Sequence, residues 1–226
     1  AQCEELIEQC SRSGTRVAVN YMFRFLPIVQ EVKRLLGSDL FGGFTSLAIN
    51  SINTGIAMMG SHCIDLLEFF SESSSEKVSA WLKDSDVANP RGRQYSDSGG
   101  LTIVHTEKGQ RLMMDFPIDQ GQGREMLACG RYGMIRFDLD NGFLKGVARN
   151  ETDRVLPLTR SDLKSLEFNT DLEKTDYPLA SIEHIRNLLN GSPIVTAEYA
   201  SRLVSVLVAA HHSSDQNNSS VQVKDM

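Results

Sequence analysis

Apolar residues recur at helical spacing over the first forty positions of the chain, interrupted by one stretch of strand-like alternation. The first repeat of three or four residues predicts an amphipathic helix that begins near residue 3 and ends at Gly14. Alternation over residues 16–20 then predicts a short strand. A second helix is predicted to open at Pro27 and to close at Gly37. The chain therefore begins with the order helix, strand, helix.

The middle of the chain is rich in short β-like runs separated by turn residues. Before them, residues 44–51 predict a strand, and residues 56–70 predict a buried helix because apolar positions go most of the way round it. From residue 77 onward the runs form a meander, which builds an antiparallel sheet. Its predicted strands include residues 101–105, 111–116, 125–129, 134–139, 143–147 and 154–158.

The last part of the chain returns to helical spacing. One stripe of apolar residues ends at Asn190 and Gly191, Thr196 is placed to cap a further helix, and residues 221–223 predict a final strand. Long helices around one meandering sheet indicate an α+β fold, with a large, mostly antiparallel open sheet and helices on one face. The other face carries apolar residues, which favours a homo-oligomer formed through it. These residues are Ile103, Met113 and Met134.

The composition narrows the possible partners and location. Among 226 residues, 23 basic and 29 acidic side chains give a net charge of -6 without clustering of the cations, which argues against nucleic acid and anionic membranes as partners. No apolar leader or run of ~20 apolar residues is present, so we expect a soluble cytoplasmic protein. The four cysteines form no C-x-x-C pair and are interpreted as small buried hydrophobes in a reducing compartment.

His62 and Asp65 are the candidate catalytic residues. They lie three positions apart on the predicted buried helix, so both side chains project from one face, which they share with Met58. A buried Asp can fix the tautomer of a His and raise its basicity, which suits a general base that removes a hydroxyl proton while a hydride leaves the same carbon. The alternative is structural: His62 bonds to a neighbouring strand and Asp65 to backbone amides.

Tyr21 and Arg24 are the candidate cofactor-binding residues. They follow the predicted strand over 16–20, and side chains at strand ends in α/β proteins commonly enter a site. Arg24 suits bidentate binding of an anionic group of substrate or cofactor, and Tyr21 can donate a hydrogen bond. The alternative is that both cap the edge of a core. The remaining histidines have no metal-ligand partners at useful spacing, so no metal site is predicted.

The order of these pieces resembles the Gfo/Idh/MocA family, the glucose-fructose oxidoreductase and inositol dehydrogenase group. The resemblance rests on four stretches and covers nearly the whole chain. They are EELIEQCSRSGTRVAVNYMFRFLPIVQEVKRLL, GSHCIDLLEFF, MLACGRYGMIRFD and HIRNLLNGSPIVTAEYASRLVSVLVAAH.

The resemblance implies a nucleotide-binding Rossmann domain followed by an α+β domain that binds sugars or polyols. Residues 1–22 correspond to the end of the nucleotide-binding domain, and residues 23–226 to the substrate-binding and oligomerisation domain. The family's E-K-P lysine and G-x-G-x-x-G loop would fall before Ala1. NAD or NADP is therefore expected in the intact parent protein, with no cofactor bound to this chain alone.

The chain departs from the family at one chemically important position. His62 matches the histidine of the family's D-x-x-x-H pattern, but Met58 stands where the pattern has Asp, and a thioether cannot relay a proton. Two functions follow. One is the substrate side of an NAD(P)-dependent oxidoreductase that acts on a secondary alcohol of a sugar, polyol or sugar derivative and is inactive as an isolated chain. The other is a non-catalytic sugar-sensing or dimerisation module of the same fold.

Overall fold

The computed structural model describes residues 2–52, 55–84, 89, 91–92, 94–118, 121, 123–157, 176–191 and 195–226. Within these ranges, five α-helices surround one face of an eight-stranded sheet. The helices are α1 (Gln2–Ser13), α2 (Pro27–Leu36), α3 (Ile56–Ser71), α4 (Tyr177–Leu189) and α5 (Ala197–Asp215). The strands are β1 (Phe44–Asn50), β2 (Ser75–Lys83), β3 (Gly99–Thr106), β4 (Arg111–Phe116), β5 (Glu125–Gly130), β6 (Gly133–Phe137), β7 (Leu144–Ala148) and β8 (Val221–Gln222).

The strand order is β7-β6-β5-β1-β4-β3-β2-β8. Strand β1 lies in the middle of the sheet, parallel to β4 and antiparallel to β5, while the other neighbouring pairs are antiparallel. The predicted α+β class and the mostly antiparallel open sheet are confirmed. Strand β1 pairs with β4 on one side and with β5 on the other, and so joins the two halves of the sheet.

Alternation along each strand separates a covered face from an open face. In β4, Leu112, Met114 and Phe116 are buried beneath the helices, whereas Met113 between them is 47% exposed. On the same open face, Trp81 and Met134 are also exposed. The structure therefore confirms that the helices cover one face of the sheet, and that large apolar side chains lie on the other.

Helix α3 is fixed at its start by a carboxylate from a distant loop. The backbone N–H groups of Ala57 and Met58 donate to the two carboxylate oxygens of Asp97, at 2.7 and 2.9 Å. This bond satisfies two of the donors that a helix leaves free at its N-terminus. Gly55 precedes the helix with a φ of 69°, and a Cβ there would lie 2.1 Å from the Asp97 carboxyl carbon. Glycine is thus required for Asp97 to cap α3.

Two predicted strands are wrong. Residues 16–20 form no strand: only Ala18 pairs, in an isolated bridge with Thr196, because no neighbouring strand in the described chain lies alongside them. Residues 151–153 form a short 3-10 helix followed by turns, so no strand covers the described part of 154–158; Leu158 lies outside the described residues.

The cysteines are only partly as expected. Cys63 is buried, but Cys3, Cys10 and Cys129 are half-buried, and all four are free thiols. Helix α1 has no fully buried residue; Cys3, Ile7 and Cys10 of its apolar stripe are half-buried, and the helix contacts α5. None of the helices described is long and apolar enough to cross a membrane.

Candidate functional site

His62 lies on α3 and packs against the segment formed by residues 21–25. The Tyr21 ring meets the imidazole edge-on, with centroids 5.2 Å apart, and the Phe23 ring lies tilted at 4.8 Å. Both aromatic residues are buried, at 5% and 3% exposure. The packing holds the imidazole in a mainly apolar setting, where a charged ring would lose its hydration.

The protonation state of His62 follows from this setting. Burial, together with the nearby charge of Arg124, lowers the pKa of His62 to about 4. Its Nδ1 atom is buried and makes no hydrogen bond in the described chain. At neutral pH the imidazole is therefore uncharged, and a ring in that state can accept a proton.

Arg124, whose charge acts on His62, is a residue of this site that the sequence did not predict, and Tyr177 is another. Its guanidinium carbon lies 5.6 Å from the centroid of the Phe23 ring. Its Nε atom is buried without a hydrogen-bond partner in the described chain, while its side chain hydrogen-bonds with Tyr177. The sequence contains one signal for it: Arg124 directly precedes β5.

Tyr177, at the start of α4, extends the polar side of the site. Its hydroxyl donates to Asp140 Oδ1 at 2.5 Å. Burial and the hydrogen bond to Asp140 raise the pKa of Tyr177 to about 12, while the charge of Arg124 opposes this shift. The phenol stays protonated at neutral pH and remains a hydrogen-bond donor.

Asp65 is brought to Arg24 rather than to the imidazole. The Arg24 guanidinium binds both carboxylate oxygens, with Nε donating to Oδ2 at 3.1 Å and Nη2 to Oδ1. Nη2 also donates to the Tyr199 hydroxyl at 3.0 Å. Burial lowers the pKa of Arg24, but the hydrogen bonds and charge of Asp65 outweigh burial and raise it, so the guanidinium is always charged. The structure thus joins a predicted catalytic residue to a predicted cofactor-binding residue.

Tyr21 is also enclosed by the fold. Burial raises the pKa of its phenol, which bonds with the Ser61 side chain one residue before His62. Arg24 is 8% exposed. In the part of the chain that is described, no three His, Cys, Asp or Glu side chains are grouped so as to hold a metal ion.

Solved structures with this architecture are numerous. A putative NADPH-dependent oxidoreductase from Desulfitobacterium hafniense is 14% identical with a TM-score of 0.76, and the match covers 99% of this chain and 69% of that one. The aldose-aldose oxidoreductase of Caulobacter crescentus, complexed with glycerol, is 14% identical with a TM-score of 0.70, over 97% and 68%. The chain has the fold of these oxidoreductases. The predicted resemblance is confirmed at the level of fold.

The same fold occurs in a regulatory protein. A super-repressor mutant of Gal80p from Saccharomyces cerevisiae is 11% identical with a TM-score of 0.71, over 99% of this chain and 69% of that one. No protein-family model matches the sequence, and a search of curated proteins finds no match. Since identities this low show the fold alone, the function must be argued from the residues of the site.

Proposed function

We propose that this chain is the substrate-side part of an NAD(P)-dependent oxidoreductase that acts on a secondary alcohol of a sugar, polyol or sugar derivative. The observation that carries the proposal is the state of His62: a neutral imidazole held between Tyr21 and Phe23, with the charge of Arg124 acting on it. The imidazole is uncharged at neutral pH and can take up the hydroxyl proton, although a pKa of about 4 makes it a weaker base than an ordinary histidine. The fold supports the proposal, since the D. hafniense and C. crescentus proteins are oxidoreductases by name.

In this proposal, each residue of the site has a separate role in the oxidation of the substrate alcohol. NAD or NADP, held by a nucleotide-binding domain, would supply the hydride acceptor. His62 takes the proton of the same hydroxyl, and the charge of Arg124 favours the oxygen as it becomes negative. Tyr21 borders the nicotinamide side through its contact with the imidazole. Arg24 has a positioning role, because its ion pair with Asp65 holds residues 22–25 against α3.

We assign residues 1–22 to the nucleotide-binding domain and residues 23–226 to the substrate domain. The support is helix α1, whose apolar stripe is only partly covered by the described chain. Leu6 on that helix is 52% exposed. An apolar stripe of this kind is stable in water only when another surface covers it.

We also propose that two copies of the chain associate through the open face of the sheet. Met113, at the centre of the sheet, and Trp81 and Met134 toward its two sides are exposed there. Replacing Met113 with Lys should then convert a dimer into a monomer in light scattering, while Leu189→Lys on α4 leaves the mass unchanged. A monomeric native protein contradicts this assembly. Nucleic acid and membranes are not proposed as partners, and a cytoplasmic location stays a prediction.

Cofactor binding tests whether NAD(P) is bound by a separate nucleotide-binding domain and not by this chain. The chain alone should show no saturable NADH binding in a fluorescence titration at micromolar concentration. The same chain joined to the proposed nucleotide domain should bind NADH and, when supplied with NAD+ or NADP+, oxidise members of a panel of sugars and polyols. Micromolar binding of NADH by the isolated chain contradicts the proposal.

The second candidate function is a non-catalytic sugar-sensing or dimerisation module. Met58 favours it, because the thioether cannot act with His62 in proton transfer. The shared fold with Gal80p, a repressor by name, supports it as well. Absence of turnover by the intact protein over the whole panel, together with sugar binding, would favour the module.

A further inference from the structure

An open cavity lies between the second half of α3 and the start of α5, away from His62. Its volume is about 320 Å³, and His62 is not among its lining residues. Glu68, on its wall, follows His62 by six residues, which is roughly 9 Å along a helix axis. The cavity is therefore offset from His62, and Arg24 is a residue that it shares with the site proposed for alcohol oxidation. Its main walls are formed by Arg24, Glu68, Phe69, Glu72, Tyr199 and Arg202.

Two guanidinium groups of this cavity keep unused donors. Arg24 uses Nε and Nη2 for Asp65 and Tyr199, and in the described chain its Nη1 has no partner. Arg202 uses Nη2 for Glu68, at 3.0 Å, and half of its side chain is exposed. Both guanidinium carbons lie over the ring of Tyr199, at 5.2 and 4.9 Å from its centroid. Free N–H groups from two cations thus lie beside one aromatic ring.

The carboxylates around the cavity are already engaged. Glu68 accepts from the backbone N–H of Ser75 with Oε1, at 2.8 Å, and from Arg202 with Oε2. The carboxylate of Glu72 is paired with the ammonium of Lys33 at 3.0 Å. Donors are thus in surplus over acceptors, and the complementary ligand group is an acceptor with two oxygens in one plane.

We propose that this cavity binds a small monocarboxylate with an apolar or aromatic body. The carboxylate would bind between Arg24 and Arg202, and the body would pack on the rings of Phe69 and Tyr199. Three cations, including Lys33, are balanced by the carboxylates of Asp65, Glu68 and Glu72, so the cavity has no net charge and disfavours a phosphate dianion more than a monocarboxylate.

Titration calorimetry on the chain, with sodium benzoate as the probe, tests the site. Benzamide has the same shape without the charge, and sodium phosphate has charge without the planar carboxylate. We expect saturable binding of benzoate, at least about fivefold weaker binding of benzamide, and phosphate weaker than benzoate. Arg202→Gln should weaken benzoate about fivefold or more. The matched control is Arg186→Gln, because Arg186 is an exposed arginine with an i,i+3 carboxylate partner on α4.

Arg202→Lys keeps the charge and removes the planar fork, so it should also weaken benzoate and serves if the Gln variant loses its fold in circular dichroism. The proposal is overturned if benzoate shows no saturable binding, if benzamide or phosphate binds as well as benzoate, or if both Arg202 variants bind benzoate like the native chain.

Discussion

Arg24 and Asp65, 41 residues apart in sequence, form a two-point ion pair inside the protein, with Asp65 fully buried and Arg24 8% exposed. Asp65→Asn would leave the buried guanidinium without its counter-charge. We therefore expect the free energy of unfolding to fall by about 3–5 kcal/mol, measured by urea denaturation. The double variant Arg24→Met/Asp65→Leu should cost less than Asp65→Asn alone, since it leaves no buried charge.

The control for this prediction is an exposed pair of the same chemistry. Arg34 binds Glu31 on the surface of α2, and Glu31→Gln should cost less than about 1 kcal/mol. Equal costs for Asp65→Asn and Glu31→Gln would contradict the structural role of the buried pair. Asp65 would then be better explained by chemistry at the site than by holding Arg24.

The stability of the protein should depend on the charge of His62. Because its pKa is about 4 in the fold and about 6.5 when unfolded, the unfolded chain binds the extra proton between these values. The contribution of neutral His62 to the free energy of unfolding is thus fully present above pH 6.5, and it is lost as the pH drops toward 4. Between pH 7.5 and 4.5 the native chain should lose roughly 2–3 kcal/mol more than His62→Gln. Parallel losses in the two proteins would show that His62 is not held neutral.

Arg124 should account for part of the low pKa of His62. Arg124→Gln removes the positive charge but leaves the burial, so the pKa of His62 should rise from about 4 while staying below 6.5. The measurement is an NMR titration of the imidazole Cε1–H. Arg136→Gln, which removes an arginine from the open face of the sheet, is the control and should leave the titration unchanged. A fall or no change in Arg124→Gln would place Arg124 outside the site.

Met58 should explain why Nδ1 of His62 has no partner. An acid at position 58 lies one helical turn before His62, within reach of the ring. Met58→Asp is expected to raise the pKa of His62 in the same NMR titration, since a nearby carboxylate favours the imidazolium. Ala57→Asp adds the same charge at a neighbouring exposed position and should raise it less. Equal shifts from both variants would indicate a general charge effect without pairing.

Much of the fold is predictable because helix ends and strand alternation are determined by residues close together in sequence. The pattern of Pro27 and Gly37 placed helix α2 correctly, and Thr196 caps α5 by accepting from the Tyr199 N–H as expected. The alternation of β4 predicted both its bounds and the exposure of Met113. These features depend on residues close together in sequence.

Features that depend on distant partners were not predictable. Residues 16–20 alternate like a strand, but a strand needs a neighbour, and only Ala18 finds one. No residue pattern in β1 or in β4 indicates that these two strands pair in parallel. In the site, helical spacing correctly put Asp65 on α3 near His62, yet it could not show that Arg24 would bind the carboxylate. Arg124 was missed for the same reason.

Turnover by the intact protein tests the central claim most directly. The chain joined to its nucleotide-binding domain should reduce NAD+ or NADP+ with members of a panel of sugars and polyols. His62→Gln should lower kcat/KM by about 100-fold or more, as expected for loss of a general base. His105→Gln, a histidine of β3 on the open face of the sheet, should leave kcat/KM unchanged. Equal turnover by native protein and His62→Gln would contradict the account.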